Sequence, residues 1–318
     1  MPAYAADLAA VRAAAGRLTG YVHRTPVFTC STIDERAGRS LFFKCENFQK
    51  VGAFKYRGAC NAVLQLDEER ARRGVVTHSS GNHAQALALA ARQRGIPAHI
   101  VMPEGTPAVK LRAVADYGAR VILCAPTLAA RERTAADVAA QTGAVYVPPY
   151  DDPAIIAGQG TTALELFEQV ADLDAILAPV GGGGLISGMS VVARSLHPRV
   201  RIFAAEPEGA DDAARSVAAG RLIPQTAPAT IADGLRTSLG ELTWPILRDH
   251  VEAVITVSEE SIIAAMRLMW ERAKLLIEPS SAVAVAAVLA PSFPAASQVR
   301  RVGVVLSGGN VDFDYLPW

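Results

Sequence analysis

Three features of the sequence predict an α/β fold of parallel sheets covered by helices on both faces. Short β-branched runs alternate with longer helical patterns almost from end to end. Most of the intervening stretches run ten to twenty residues with apolar spacing of three and four. The chain has 318 residues, 51% of them hydrophobic, which suffices for one large or two medium cores.

The elements follow in order. MPAYAADLAAVRAAAGRL carries Asp7 and Arg12 inside its apolar pattern, so it reads as an amphipathic helix and not as a secretory signal. LFFKCE (41–46) is a strand, followed by a helical run from Tyr56 to Leu66. GVVTHS (74–79), AHIVM (98–102), RVILC (120–124) and AVYV (144–147) are strands, with HAQALALAARQR a helix after the first of them. AILAPV (175–180), RIFAAE (201–206), AVITV (253–257) and RVGVVLS (301–307) are strands as well. TTALELFEQV and SIIAAMRLMWERAKLL have helical spacing. The stretch from Gly220 to Gly240, with Pro224 and Pro228, lacks periodicity and reads as an ordered surface loop.

Charge and cysteine usage narrow the function. Lys plus Arg total 31, as do Asp plus Glu, so nothing points to nucleic acid or a membrane surface. A small neutral or zwitterionic ligand is the expected partner. Cys30, Cys45, Cys60 and Cys124 are scattered, without a CxxC pair, and read as buried thiols in a reducing, cytoplasmic compartment. Charges interrupt every apolar run, so no membrane span is expected.

Four strand ends carry chemistry. In GAFKYRGA, Lys55 sits at the first turn of a helix, where the macrodipole disfavours a further positive charge; this lowers the amine's pKa and favours attack on a carbonyl. In SSGNH, Ser79 to His83 lie where a strand meets a helix, leaving the N–H groups of Ser80, Gly81 and Asn82 free for a carboxylate. In APVGGGGLISG, the four glycines form a nest suited to a phosphate. No Gly-Lys-Ser/Thr follows, so it is not a Walker loop, but Gly182, Gly184 and the later Glu206 leave a nicotinamide-dinucleotide fingerprint as a rival. In VVLSGGN, Ser307 ends a strand and can turn its hydroxyl toward a ligand across the strand ends.

A phosphate nest, a nucleophilic lysine, a carboxylate-binding helix start and a strand-end hydroxyl are equipment for pyridoxal phosphate and an amino acid. Over nearly its whole length the sequence resembles the serine racemase and serine/threonine dehydratase group of pyridoxal phosphate enzymes. The stretches that carry the resemblance are FFKCENFQKVGAFKYRGA, SSGNHAQALA, AGQGT, PVGGGGLISG, EPEGADDA, TIADGLRTSLG, WERAKLLIEPSSAVAVAAVL and LSGGN.

The resemblance implies the tryptophan-synthase-β-like fold type II: two three-layer open twisted sheets with helices on both faces. It also implies a large domain from residues 1–73 and 147–318, a small mobile domain from 74–146, and a homodimer. Lys55 would hold the cofactor covalently and, once freed by the substrate amine, act as the base at Cα. Phe54 and Asn82 would flank the ring, with the Asn82 amide at its 3-hydroxyl. Gly181, Gly182, Gly183, Gly184 and Leu185 would hold the phosphate, and Ser307 would meet the ring nitrogen. A hydroxyl there, unlike a carboxylate, does not stabilise a protonated ring, which suits loss of a β-leaving group.

Ser79, Ser80, Gly81, Asn82 and His83 would grip the substrate carboxylate. Ser80 matches the residue that faces Cα from the side opposite the lysine in racemases, which makes inversion possible. Arg131 corresponds to an arginine near the substrate side chain and would favour an acidic or hydroxyl-bearing β-substituent, as in 3-hydroxyaspartate. Glu206, Ala210 and Asp212 match a divalent cation site suited to Mg2+, with Ca2+ or Mn2+ as alternatives. Tyr150 stands where racemases typically carry an asparagine, a departure that bears on substrate preference. The regulatory domain of biosynthetic threonine dehydratases is not expected.

The expected activity is therefore a pyridoxal phosphate ammonia-lyase that converts serine, threonine or 3-hydroxyaspartate to a 2-oxo acid and ammonia. A serine or aspartate racemase with side dehydratase activity is the first alternative. A nicotinamide-dependent dehydrogenase and a catalytically silent amino-acid-binding module are the alternatives of other classes.

Overall fold

The computed structural model describes residues 4–318. The first three residues of the expected N-terminal helix lie outside the described residues. Within them the helix runs Leu8–Leu18, capped by Asp7, whose carboxylate accepts from Ala10 N at 2.8 Å, and it buries Val11, Ala14 and Leu18.

Among the described residues ten strands form two sheets. β1 (Val27–Phe28), β2 (Ser40–Cys45), β7 (Ala175–Pro179), β8 (Arg201–Pro207), β9 (Ala253–Val257) and β10 (Arg301–Leu306) make one, in the order β1-β2-β10-β7-β8-β9. All neighbours are parallel except β1, which runs antiparallel to β2. β3 (Val75–His78), β4 (Ala98–Pro103), β5 (Arg120–Cys124) and β6 (Val145–Tyr146) form an all-parallel sheet ordered β5-β4-β3-β6. The α/β class with two helix-covered sheets stands as expected. The two-residue β1 was missed because so short a run shows no alternation.

Both faces of each sheet are buried, which is why the strands read as continuous apolar runs. In the larger sheet Leu177, Phe203 and Val304 face one core with helices Glu259–Leu268 and Pro279–Leu289. Their chain neighbours Ile176, Ile202 and Val305 face the other core, with helices Pro153–Gln169 and Gly184–Leu196. In the smaller sheet Val75 and Ile100 pack toward helix Asn82–Arg94, while Val76 and Val101 pack with Ala135 and Val138 of helix Leu128–Thr142.

Two expectations need correction. The helix expected across 261–276 is α-helical only to Leu268; Met269–Ala273 widens into a π turn that ends at Lys274, with φ of 59°. The widened turn lets the chain double back, with Leu275 N donating to Met269 O and Trp270 Nε1 to Ile277 O, and brings Glu278 to the sheet ends. The 220–240 stretch is more than a surface loop, because Ala232, Leu235 and Leu239 are buried. Its buried residues divide between the two cores of the larger sheet, Ala232 and Leu235 in one and Leu239 in the other, so no single period runs through it.

A buried charge quartet anchors the helix that begins at Lys55. Arg57 pairs with Glu46 at 2.8 Å and Glu165 at 2.7 Å, and Lys44 reaches Glu165 at 2.6 Å. Thr25 Oγ1 donates to Glu46 at 2.6 Å. Two cations and two anions cancel, and each finds hydrogen-bond partners, the condition under which buried ions are tolerated. The quartet ties β2, helix Lys55–Leu64 (Lys55 at its first position) and helix Pro153–Gln169 into one unit. All four cysteines are free; Cys30 is only half-buried, so the expectation of buried thiols holds for the other three. No helix among the described residues is long and apolar enough to cross a membrane.

Candidate active site

Strand order creates two crevices. In the smaller sheet the chain leaves β3 for β4 and β5 on one side, while β6 pairs on the other. In the larger sheet β8 and β9 lie on one side of β7, with β10 and β2 on the other. Loops at the carboxyl ends of such strands diverge and leave room for a ligand. Lys55 follows β2, the glycines follow β7 and Ser307 follows β10; Ser79–His83 follow β3, and residues 147–152 follow β6.

Lys55 is the first residue of its helix, with Phe54 as N-cap. The approach is strained: Val51 and Gly52 are both left-handed, at φ of 56° and 69°. The strain is held by Asn310, which donates to Val51 O at 2.8 Å, and by the backbone bonds Phe54 N to Ser307 O and Gly309 N to Gly52 O. The Lys55 amine donates to Pro149 O at 2.6 Å and lies 5.2 Å from the Phe54 ring and 5.9 Å from the Tyr150 ring. Burial lowers its pKa to about 8. An enclosed amine that loses its proton near neutrality is suited to attack a carbonyl and to carry a proton.

The glycine loop fits a phosphate. Gly181 to Gly184 and Leu185 are buried, and their N–H groups have no acceptor among the described residues. Gly183 requires its lack of Cβ, with φ of 88° as it caps helix Gly184–Leu196. Beside Gly181 the buried Thr237 hydroxyl also lacks a partner. A row of buried, unpaired donors at a helix start is costly unless an anion fills it, so these residues suit the phosphate of pyridoxal phosphate. Thr237 was not singled out from sequence, because it lies in the aperiodic stretch.

The loop after β3 is partly as expected. Ser79 Oγ accepts from Gly81 N at 3.3 Å, so Gly81 N–H is not free, whereas the Ser80 and Asn82 N–H groups have no partner among the described residues. Ser80 is half-buried. The His83 side chain corrects its expectation: Nε2 bonds to Val147 O at 3.1 Å and burial lowers its pKa to about 3. It faces the interior as a neutral ring, which leaves only its backbone N–H for a carboxylate. Arg131 stands behind the same strand end, with its buried Nε unpartnered and His78 within range of its charge.

Asn82 reveals a residue that sequence reasoning missed. Its amide donates to Glu278 at 2.9 Å and accepts from Asn310 Nδ2 at 2.8 Å, so it spans from the smaller sheet to the larger. Glu278 is buried against Gly308, accepts from Asn310 N at 3.1 Å, and has its pKa pushed up to about 8 by burial. Glu278 stands in the quoted IEPSS stretch, but an acid before a proline looks like an ordinary helix cap. Ser307 is buried beside it, and its hydroxyl makes no bond among the described residues. Ser307 carries no charge and burial disfavours the charged form of Glu278, so both weigh against a fixed negative charge at this end of the site.

Glu206, Ala210 and Asp212 come together at the end of β8, all buried. The two Glu206 oxygens accept from Ala213 N and Ala214 N at 3.0 and 2.8 Å; Asp212 Oδ2 accepts from Leu239 N at 2.8 Å, and its Oδ1 is buried without a partner. Burial pushes Glu206 up to about 9 and Asp212 to about 6. Among the described residues no cluster of three or more His, Cys, Asp or Glu side chains is present, so a cation here would rely on the Ala210 carbonyl. The dinucleotide reading fails on Glu206, because both of its oxygens are turned into a helix start and away from any ribose.

Comparison with known proteins identifies the family. Residues 18–308 match the model of the pyridoxal-phosphate dependent enzyme family. The chain is 54% identical over 316 residues to a serine racemase of Arabidopsis thaliana, covering 98% of this chain and 96% of that protein. It is 51% identical over 306 residues to a beta-hydroxyaspartate dehydratase of Paracoccus denitrificans, covering 96% of each. Among solved structures, that of maize serine racemase superposes with a TM-score of 0.96 at 50% identity, covering 98% of this chain and 95% of that one.

Proposed function

The chain belongs to the pyridoxal-phosphate dependent enzymes, and we propose that within them it is an ammonia-lyase acting on a β-hydroxy amino acid. The observation that carries the reading is the enclosed Lys55 amine beside a buried row of unpaired N–H donors. Membership removes the dehydrogenase and the silent binding module. When bound, pyridoxal phosphate supplies an electron-withdrawing ring that acidifies the α proton of an attached amino acid.

The residues of this chain do the rest. The N–H groups of Gly181 to Leu185 and the Thr237 hydroxyl hold the phosphate. Phe54 and Asn82 flank the ring. The N–H groups at Ser80, Asn82 and His83 orient the substrate carboxylate, together with Ser79 and Gly81. Lys55 moves the proton at Cα. Ser307 would meet the ring nitrogen with a hydroxyl, which, unlike a carboxylate, does not stabilise a protonated ring and so suits loss of the β-hydroxyl. The enamine so released tautomerises and hydrolyses to a 2-oxo acid and ammonia. Arg131 directs the choice toward an acidic β-substituent, and the dehydratase relative named for beta-hydroxyaspartate supports 3-hydroxyaspartate as substrate. Serine racemases among the relatives, and Ser80 in this chain, support racemisation as the second reading.

The direct test incubates the protein with L-serine, D-serine, L-threonine and the 3-hydroxyaspartate isomers, and assays oxo acid and enantiomer composition together. Oxo acid from one substrate without its enantiomer is the expected result. Enantiomer formation that outruns oxo acid would replace the lyase reading with the racemase.

Glu206, Asp212 and the Ala210 carbonyl are the proposed holders of a divalent cation, Mg2+ or alternatively Ca2+ or Mn2+. The support is the donor set: two buried carboxylates and a carbonyl, all hard oxygen ligands, with one carboxylate oxygen unpaired. Millimolar Mg2+ is expected to raise the melting temperature, and E206Q or D212N to abolish that rise. An equal rise in the variants would count against the site. Residues 74–146 are proposed as the mobile small domain, with Asn82 to Glu278 and Lys110 to Asp233 at 2.6 Å among its contacts with the rest of the chain, beside the apolar packing on helix Lys55–Leu64. A homodimer in the cytoplasm completes the reading, on the resemblance already described.

A further inference from the structure

The segment that returns the chain from β6 to the larger sheet touches both the lysine and the glycine loop. Pro149 O accepts from the Lys55 amine. The Tyr150 ring lies on Gly182, so closely that a methyl group added to that glycine would fall inside the ring. Gly184 leaves room for the Tyr150 backbone, whose carbonyl oxygen would stand 3.1 Å from a Cβ there. Both ends of the segment are fixed. Asp151 accepts from the N–H groups of Glu241, Leu242 and Thr243 at 2.9 to 3.2 Å, and Thr243 Oγ1 donates to Gly182 O at 2.8 Å. Asp152 caps helix Pro153–Gln169 through Ala154 N and Ile155 N. The Tyr150 side chain thus lies between the glycine loop and the lysine.

We propose that Tyr150 is a positioning residue: seated on Gly182, its ring fixes the Pro149 carbonyl onto which the Lys55 amine docks, and so holds lysine and glycine loop in register. The inference rests on the function proposed above. The ring acts by shape and not by proton transfer, because burial first, and then Asp151, Asp212 and Glu132, push the phenol up to about 12. Gly182 is then glycine for the sake of the Tyr150 ring as well as for a phosphate. A small residue at 150 would free the Pro149 carbonyl to turn away and remove one wall of the lysine's enclosure.

The test compares wild type, Y150F, Y150A, G182A and the G182A/Y150A pair as holoenzymes. Two quantities are read: the pH midpoint of the cofactor's visible absorbance, and the rate at which pyridoxal phosphate is released. Y150A is expected to move the midpoint by about one pH unit or more and to speed release about tenfold, with Y150F restoring native values. G182A is expected to imitate Y150A by pushing the ring off, and the double variant to show less than the product of the two single effects, since the added methyl then meets no ring. A coloured Y150A with native midpoint and release overturns the positioning role alone, as do single effects that simply multiply. Should Y150A not fold, Y150L is read by the same criteria. A wild-type chain that takes up no pyridoxal phosphate overturns this inference and the function together.

Discussion

Replacing Lys55 with alanine is expected to leave a folded, colourless protein whose oxo-acid production is at least about 10^4-fold below wild type. The loss has two sources. The amine that would fix the cofactor is gone, and so is a base whose pKa, lowered by burial to about 8, lies near neutrality. Disappearance of the visible band and absence of a borohydride-fixed adduct on the peptide containing residue 55 are the measurements. A K55A protein that keeps its band would move the cofactor's attachment elsewhere.

The cofactor-free chains carry a second signature of the same residue. In the folded chain the amine keeps its proton only up to about 8, against 10.5 for an ordinary lysine, because burial disfavours the charge. Between those values the unfolded chain binds more protons, so the Lys55 contribution makes stability rise with pH across that window. K55A should lack this rise. Its stability relative to wild type is therefore expected to be highest below pH 8 and to fall by on the order of 1–3 kcal/mol toward pH 10.5. Parallel pH profiles for the two chains would mean that the amine is not desolvated as the structure has it.

What the sequence revealed of this site depended on where each residue falls along the chain. Lys55, the glycine row, Ser79 to Asn82 and Ser307 all sit at junctions between a strand and the segment after it, marked by glycine, so pattern alone placed them at strand ends. Glu278 and Asn310 were invisible for the opposite reason. They enter by long-range contacts with Asn82 and Val51, which the LSGGN and IEPSS stretches around them do not reveal. The quartet of Lys44, Glu46, Arg57 and Glu165 is spread over more than a hundred residues, and charged residues ordinarily read as solvated. The inward turn of the His83 ring, onto Val147 O, was not legible because periodicity gives a helix start but not the direction of one ring. The π turn after Leu268 escaped because apolar spacing of three and four continues unchanged through it, while the backbone widens.

Ser80→Ala is expected to separate the two activities that the fold permits. Ser80 lies just before helix Asn82–Arg94, half-buried, in the loop whose N–H groups are proposed to hold the substrate carboxylate. If its hydroxyl serves Cα from the face that Lys55 does not reach, its removal deletes one of two proton carriers and leaves the other. Elimination needs only the lysine face, so oxo acid from the preferred enantiomer should fall by less than about tenfold. Deuterium exchange at Cα of the opposite enantiomer should fall by about 10^2 to 10^3, the usual worth of one positioned acid or base. The exchange assay in heavy water works whether or not net racemisation is fast, so it reads the second face directly. Equal losses in both assays would make Ser80 a carboxylate anchor only, with kcat and KM of elimination both affected. Exchange that survives intact would require another proton carrier on that face, and the half-buried Ser79, whose hydroxyl is engaged with Gly81 N, would be the next residue to replace.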